Sequence, residues 1–486
     1  MEVTRVTELT RGRRLLVLAI CCMSLLIVGM DNTIVTVALP SIHRELHASV
    51  EGLQWTVDSY TLVLASLLIL SGSTGDRLGR RRTFQTGLVL FTLGSLLCSL
   101  ASGLGWLVAF RAVQAIGGSM LNPVAMSIIT NVFTDPKERA QAIGVWGGVI
   151  GLSLGIGPIL GGLLTETIGW RAIFWVNVPI GIAACVLAAI FVPESRAPRA
   201  RRLDPAGQLL VIVLLACLTY AIIHAPSVAW LSAQTVLILA VAVAALIALV
   251  WYEPRRADPL LELRFFRSIP FSGATAIAVC AFGAFSGILF LYPLYLQDVR
   301  GLNALDAGLF MLPQAVTVAV LAPISGRVVG SRGPRLPLFI AGIAMAVTGL
   351  AMTGLTDHTG YGWLIADLVV CGIGFGFVNA PVTNTAVSGM PREQAGVAAA
   401  IASTSRQVGN ALGVAIIGSV INTGSAATFA GRFSRSSHLA WWIIGGAGLA
   451  VLVIGSLSTS RRAVATAEAT AIELHPAQPE PRLRAS

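Results

Sequence analysis

Three charged residues sit inside otherwise apolar stretches of this 486-residue chain: Asp31 in GMDNTIVTVALP, Asp58 in QWTVDSYTLVLA and Arg111 in VAFRAVQAIGG. A charge at the centre of a membrane span costs about 2.5–3.5 kcal/mol on insertion scales, so each is a functional candidate by default. At 1.5 Å per helical residue, Asp31 lies roughly 25 Å beyond Arg14, and Asp58 lies a similar height from Asp76. Arg111 enters its stretch near the same level, so one arginine is expected beside two carboxylates, offsetting part of their burial cost. The chemistry available to such a group is proton exchange at Asp31 or Asp58, with burial and Arg111 acting on the carboxyl in opposite directions. The structural alternative is that Asn32 and Thr33 satisfy Asp31, Asp58 caps its helix, and Arg111 snorkels to the surface. Elsewhere, Asp306 reads as a helix cap, and Asp367 and Arg406 as a possible pair.

Other chemistries fall away on residue types. The lone lysine, Lys137, sits in FTDPKERA, so no GxxxxGK[ST] nucleotide loop exists. GLSLG at 151–155 matches a GxSxG elbow formally but lies inside an apolar stretch, which makes Ser153 a packing residue. His43 and His47 in HRELH lack the glutamate of HExxH, and the seven cysteines lie in apolar stretches without metal-ligand spacing. No metal and no cofactor other than a coupling proton is expected.

The elements that must position these groups are fourteen apolar stretches: 15–38, 54–75, 84–104, 106–131, 140–163, 171–192, 207–224, 232–252, 270–296, 305–328, 336–356, 361–388, 397–422 and 437–460. Most reach the roughly 20 residues that cross a bilayer as a helix. A composition of 55% hydrophobic and 12% charged residues excludes a soluble surface around a core. The fold class expected is therefore an all-α polytopic membrane protein. The first stretch is full length and lacks a small-residue cleavage site, so it reads as a retained helix and not a secretory leader.

With the amino terminus inside, 26 of the 33 basic residues fall in cytoplasmic segments, which predicts both termini cytoplasmic. The net charge of +10 is then a topology signal and does not point to nucleic acid. Membrane lipids, protons and a small molecule are the expected partners of a monomer.

Linkers at 193–206 and 253–269 isolate a helix pair at about 207–224 and 232–252. The expected plan is a cytoplasmic segment 1–14, a six-helix bundle at 15–192, the linkers and inserted pair at 193–269, a second bundle at 270–460, and a disordered cytoplasmic tail at 461–486. An internal repeat supports duplication: Gly72 and Gly79 in SGSTGDRLGRRR match Gly326 and Gly333 in SGRVVGSRGPR, each before a basic cluster. Repeated halves are typical of secondary transporters, with the solute site between them. GGVIGLSLGIGPILGG at 147–162 adds a stretch of small residues with Pro158, which reads either as a pliable seam or as ordinary close packing.

Taken together, MDNTIVTVALP at 30–40, QWTVDSYTLVLA at 54–65, GSTGDRLGRRR at 72–82, RAVQAIGG at 111–118, GIGPILGG at 155–162, WRAIFWVNVPIG at 170–181 and TSRQVGNALG at 404–413 resemble the fourteen-helix drug/proton antiporters of the major facilitator superfamily. The resemblance implies a major facilitator fold with two inserted central helices. It also implies proton coupling through Asp31, Asp58 and Arg111, a gating loop of Gly72, Asp76, Arg77, Gly79 and Arg80, and an antiporter motif of Gly155, Gly157, Pro158, Gly161 and Gly162. Ala115 stands where the family has glycine, and Arg406–Gln407 where dication exporters carry an acid. The expected activity is export of a lipophilic or cationic compound across the plasma membrane by alternating access. Asn32, Trp55, Tyr60 and Asn122 are candidate substrate contacts from polarity and position. A same-fold transporter of a metabolite such as an amino acid, sugar or siderophore is the alternative, and a polytopic membrane enzyme a more distant one, since no clustered nucleophile, base or metal set is present.

Overall fold

A computed structural model describes residues 10–196, 203–256, 259–388, 390, 395–422 and 429–474. Parts of the expected amino-terminal segment, both linkers and the end of the tail lie outside the described residues. Every element among those described is helical. In chain order they are α1 (Arg11–Leu46), α2 (Val50–Leu78), α3 (Arg80–Ser99), α4 (Leu104–Val132), α5 (Pro136–Thr167), α6 (Ala172–Trp175), α7 (Asn177–Phe191), α8 (Pro205–Val228) and α9 (Ala233–Tyr252). Then follow α10 (Ile269–Leu294), α11 (Ala304–Phe310), α12 (Leu312–Arg332), α13 (Arg335–Ala351), α14 (Tyr361–Val387), α15 (Ala395–Asn422), α16 (Phe429–Ser458) and α17 (Arg461–Leu474).

Ends are set by local chemistry. Ser49 caps α2 by accepting from Gly52 N at 3.1 Å, Asp135 caps α5 from Lys137 N and Glu138 N, and Ser232 caps α9 from Thr235 N. Gly79 separates α2 from α3 at φ 116°, a conformation that favours glycine. The 171–192 stretch is broken into α6 and α7, and the 305–328 stretch into α11 and α12 at Met311, just ahead of Pro313.

Eleven helical segments among the described residues are long and apolar enough to cross a membrane. The remaining expected crossings are the weaker ones. α3 opens on Arg80–Arg82 and carries Gln85 and Thr86, α13 has 17 residues, and α15 is diluted by Arg406, Gln407 and Asn410. Large apolar side chains face outward along the helices, as on α9 (Leu237, Ile247, Val250, Trp251), which suits a lipid surround. The tail differs from expectation, because Arg461–Leu474 forms α17 and packs against α10 and α16 instead of lying free.

Helices α1–α7 pack mainly on one another, as do α10 and α12–α16, while α11 packs chiefly on α5 and the α8–α9 hairpin lies against α2 and α15. Gln208 Nε2 on α8 donates to Ser66 O on α2 at 2.6 Å, and His224 meets Glu51 at 3.0 Å. The largest apolar cluster runs through both groups, joining Leu39, Ile42 and Trp170 to Leu294, Leu296 and Ala307 towards the arginine-poor end and extending along the carboxy-terminal helices to Ile277, Leu338 and Val382. Towards the arginine-rich end, a separate cluster around Val17, Phe84, Val132 and Val192 belongs to α1–α7, and another forms around Phe265, Phe271 and Ala398.

Candidate functional site

Asp31 and Arg111 form a buried ion pair between α1 and α4, at 0% and 1% side-chain exposure. The second carboxylate oxygen, Oδ1, accepts from Gln114 Nε2 at 2.8 Å and Asn177 Nδ2 at 3.1 Å. Both amides also donate to Ser95 Oγ, at 2.6 and 3.2 Å. Arg111 donates further to Thr56 O and Gln114 Oε1, and stacks 4.3 Å over the Tyr60 ring. Side chains and backbone from five helices thus assemble around Asp31, whose two carboxylate oxygens both have donors, while Asn177 Oδ1 and the Tyr60 hydroxyl are left without partners among the described residues. The approach depends on small residues, since a Cβ at Gly94 would lie 2.6 Å from Gln114 N.

Asp58 has none of this. It is fully buried, and among the described residues its Oδ1 accepts only from Thr61 Oγ1 at 3.4 Å and Oδ2 has no partner. The expected arginine between two carboxylates is therefore corrected: Arg111 serves Asp31, and no basic side chain among the described residues is bonded to Asp58. Asp58 is also not the cap of α2, a role held by Ser49. It lies one turn after Gln54, whose Nε2 donates to Ala415 O on α15 at 2.8 Å, so Asp58 shares the α2 face turned to the carboxy-terminal helices.

The glycines of α5 lie along the meeting of the two groups. A Cβ at Gly157 would overlap Thr33 Oγ1 and one at Gly161 would come 2.8 Å from Ile34 O, both on α1. On the other side, Gly162 abuts Ala304 O, Gly155 faces Ala315, and Gly308 of α11 rests on Pro158 O. Ala304 N donates to Glu166, Arg44 pairs with Asp298 at 3.3 Å, and Gln297 Nε2 reaches Val37 O at 2.8 Å. Towards the arginine-rich end of the same seam, a Cβ at Gly144, Gly148, Gly326 or Gly330 would meet nothing within 4 Å among the described residues. The α5–α12 edge is thus tightly closed at one end and parted at the other. A narrow crevice in it is lined by Thr33, Leu154, Pro158, Phe285, Met311 and Gln314, among others.

At the α2–α3 junction, Asp76 near the end of α2 accepts from Arg80 Nη2 of α3 at 2.9 Å, and Arg80 Nη1 donates to Ser127 O; of the expected gating loop only Gly79 lies between the two helices. Gly72 lies against Pro123, and Arg77 is exposed. Glu194 is a residue the sequence reading missed. Its Oε1 accepts from Arg81 N at 3.1 Å, and a Cβ on Gly79 would lie 2.6 Å from it. These partners at the junction all come from α1–α7 and the segment just after α7.

The four candidate substrate contacts do not converge. Asn32 donates to Val28 O, Trp55 packs on Tyr220 of α8, Tyr60 lies under Arg111, and Asn122 carries a buried, unpartnered Oδ1; none lines the crevice. Asp306 is not the cap of α11, since Asn303 Oδ1 accepts from its backbone N at 2.7 Å. Asp367 and Arg406 do not pair: Tyr292 donates to Asp367 at 2.6 Å, and Arg406 reaches Thr383. Gln114 and Asn177 were legible only as polar residues inside apolar stretches.

A model of the Major Facilitator Superfamily matches residues 21–414, across most of this helical architecture. The chain belongs to that superfamily. It has the superfamily's all-α fold. It is 37% identical over 423 residues to the multidrug resistance protein Stp of Mycobacterium tuberculosis, covering 87% of this chain and 79% of that protein. It is 36% identical to the tetracenomycin C resistance and export protein of Streptomyces glaucescens (84% and 76% covered). The multidrug efflux pump LfrA of Mycolicibacterium smegmatis is 33% identical (86% and 83% covered). Among solved structures, a peptide transporter POT in complex with sulfate superposes with a TM-score of 0.65 at 14% identity, covering 93% of this chain and 95% of that one. At that identity the likeness concerns the fold alone.

Proposed function

We propose that this superfamily member exports lipophilic or cationic drug-like compounds in exchange for protons, as a plasma-membrane monomer with both termini cytoplasmic. The relatives' names support drug export, since proteins at 33–37% identity along most of the chain are multidrug or antibiotic resistance and efflux proteins. The observation that supports proton coupling is the contrast between two carboxylates. Asp31 is locked by Arg111 and two amides, whereas Asp58 is buried with an unpartnered oxygen on the face turned towards α15. A buried carboxylate without a counter-charge is stabilised by taking a proton or a cationic solute, and exchanging one for the other is antiport. In this reading Arg111 and Asp31 hold the bundle that presents Asp58, and the glycines of α5 form the seam on which the halves rock. The closed arginine-poor end corresponds to a state open towards the cytoplasm. One proton entering down a membrane potential supplies about 2.3 kcal/mol per 100 mV, enough to drive a solute gradient.

The test is reconstitution in liposomes with an imposed pH gradient and a panel of cationic dyes and antibiotics. Wild type should show proton flux triggered by specific compounds, and Asp58→Asn should lose it. Should no compound move protons through correctly folded protein, the drug/proton reading falls and a narrow metabolite substrate replaces it.

A further inference from the structure

The carboxy-terminal helices hold a second buried carboxylate that resembles Asp58 and not Asp31. Asp367 on α14 is 4% exposed; its Oδ2 accepts from the Tyr292 hydroxyl on α10 at 2.6 Å, and its Oδ1 has no partner among the described residues. The groups facing it are neutral: Tyr292, whose ring meets Trp441 of α16 edge-on, and Cys371 one turn along α14. No arginine, lysine or histidine is bonded to it among the described residues. Cys371 Sγ in turn accepts from Gln314 Nε2 at 3.1 Å, and Gln314 lines the crevice between the halves. A chain of polar groups therefore leads from the crevice to within one helical turn of the acid. A permanently ionised carboxylate with one neutral donor would be costly at this depth, and a hydrogen-bonded but otherwise unpaired acid is suited to gaining and losing a proton.

We propose that Asp367 is a second proton-binding carboxylate, so that each transport cycle exchanges two protons, one at Asp58 and one at Asp367. This rests on the antiport reading above. Tyr292 is a positioning residue that orients the carboxyl group.

The experiment measures stoichiometry thermodynamically, so that slow variants are read correctly. In proteoliposomes held at zero membrane potential with a pH difference of about one unit, the substrate gradient at which net flux reverses is tenfold per proton exchanged. Wild type should reverse at about a 100-fold gradient, Asp367→Asn at about 10-fold, and Tyr292→Phe, which keeps the carboxyl group, at about 100-fold. Reversal of wild type near 10-fold, or of Asp367→Asn near 100-fold, overturns the role of Asp367 while leaving antiport intact. No dependence of wild type on the pH gradient overturns antiport itself and this proposal with it. If Asp367→Asn does not fold, Asp367→Thr, whose hydroxyl can still accept from Tyr292, gives the same reading.

Discussion

Gln297 Nε2 donates to Val37 O at 2.8 Å, joining the two halves through a residue that sits in a π-helical turn, Tyr295–Val299. The same turn carries Asp298, the partner of Arg44. A π turn widens the helix by one residue and commonly marks a functional position. Here it places consecutive side chains, Gln297 and Asp298, against α1. Gln297→Ala should loosen this contact. Labelling of a cysteine introduced at Thr36 by a membrane-impermeant thiol reagent is expected to rise several-fold over the same cysteine in the wild-type background, and an unchanged rate would show that the contact does not hold the halves together.

Asp31 and Asp58 should respond oppositely to neutralisation. Asp31→Asn strands the Arg111 guanidinium among neutral groups, and breaking one partner of a buried pair costs about 3–5 kcal/mol. Asp58→Asn removes a carboxyl group that has no counter-charge and should leave thermal stability nearly unchanged while ending coupling. Thermal unfolding in detergent micelles compares the two, and equal losses would refute the division of roles.

Gly162→Ala and Gly308→Ala should each obstruct closure, because their Cβ atoms would overlap Ala304 O and Pro158 O, which are backbone and cannot rotate away. Gly103→Ala and Gly446→Ala, outside this seam, have open space and should transport as wild type does. Dye efflux from cells expressing matched amounts of the four variants makes the comparison. Loss in all four would point to helix flexibility instead of contact.

Glu194→Ala should reduce transport several-fold although Glu194 belongs to no motif. It removes the acceptor of Arg81 N and the carboxylate packed against Gly79, whose φ of 116° fixes the turn into α3. Gly79→Ala should be worse, since an L side chain at that φ is strained by roughly 1–3 kcal/mol before the clash with Glu194 is counted. Efflux at matched expression checks both variants, and wild-type transport by Glu194→Ala would remove the residue from the gate.

The comparison of Asp58 with Asp31 shows how far a sequence can be read. Both were identifiable as charges in apolar stretches, and Arg111 with them. Their depth followed from counting residues, but the partner of Arg111 did not. At 100° per residue, a small change in helix rotation or crossing decides whether a side chain three residues away meets one neighbour or another. Ser95, Gln114 and Asn177 complete the Asp31 site from three helices distant in sequence from Asp31 itself. Whether Asp367 and Arg406 pair was open in the sequence for the same reason, and the structure gives them separate partners, Tyr292 and Thr383.

The sequence by itself determined the membrane class, the helical architecture and the membership of the family. Apolar length and short motifs are properties of consecutive residues, and a bilayer leaves a backbone of this kind little choice but helix. It also marked α5 as a place of close approach through the spacing of its glycines. Only the tertiary structure decided that Gly157 and Gly161 meet α1 while Gly155 and Gly162 meet α12 and α11, that the seam closes at the arginine-poor end, and that Asp31 is paired while Asp58 and Asp367 are not. These depend on how helices are rotated and tilted against one another, which is set by packing summed over the whole molecule and is written in no single segment.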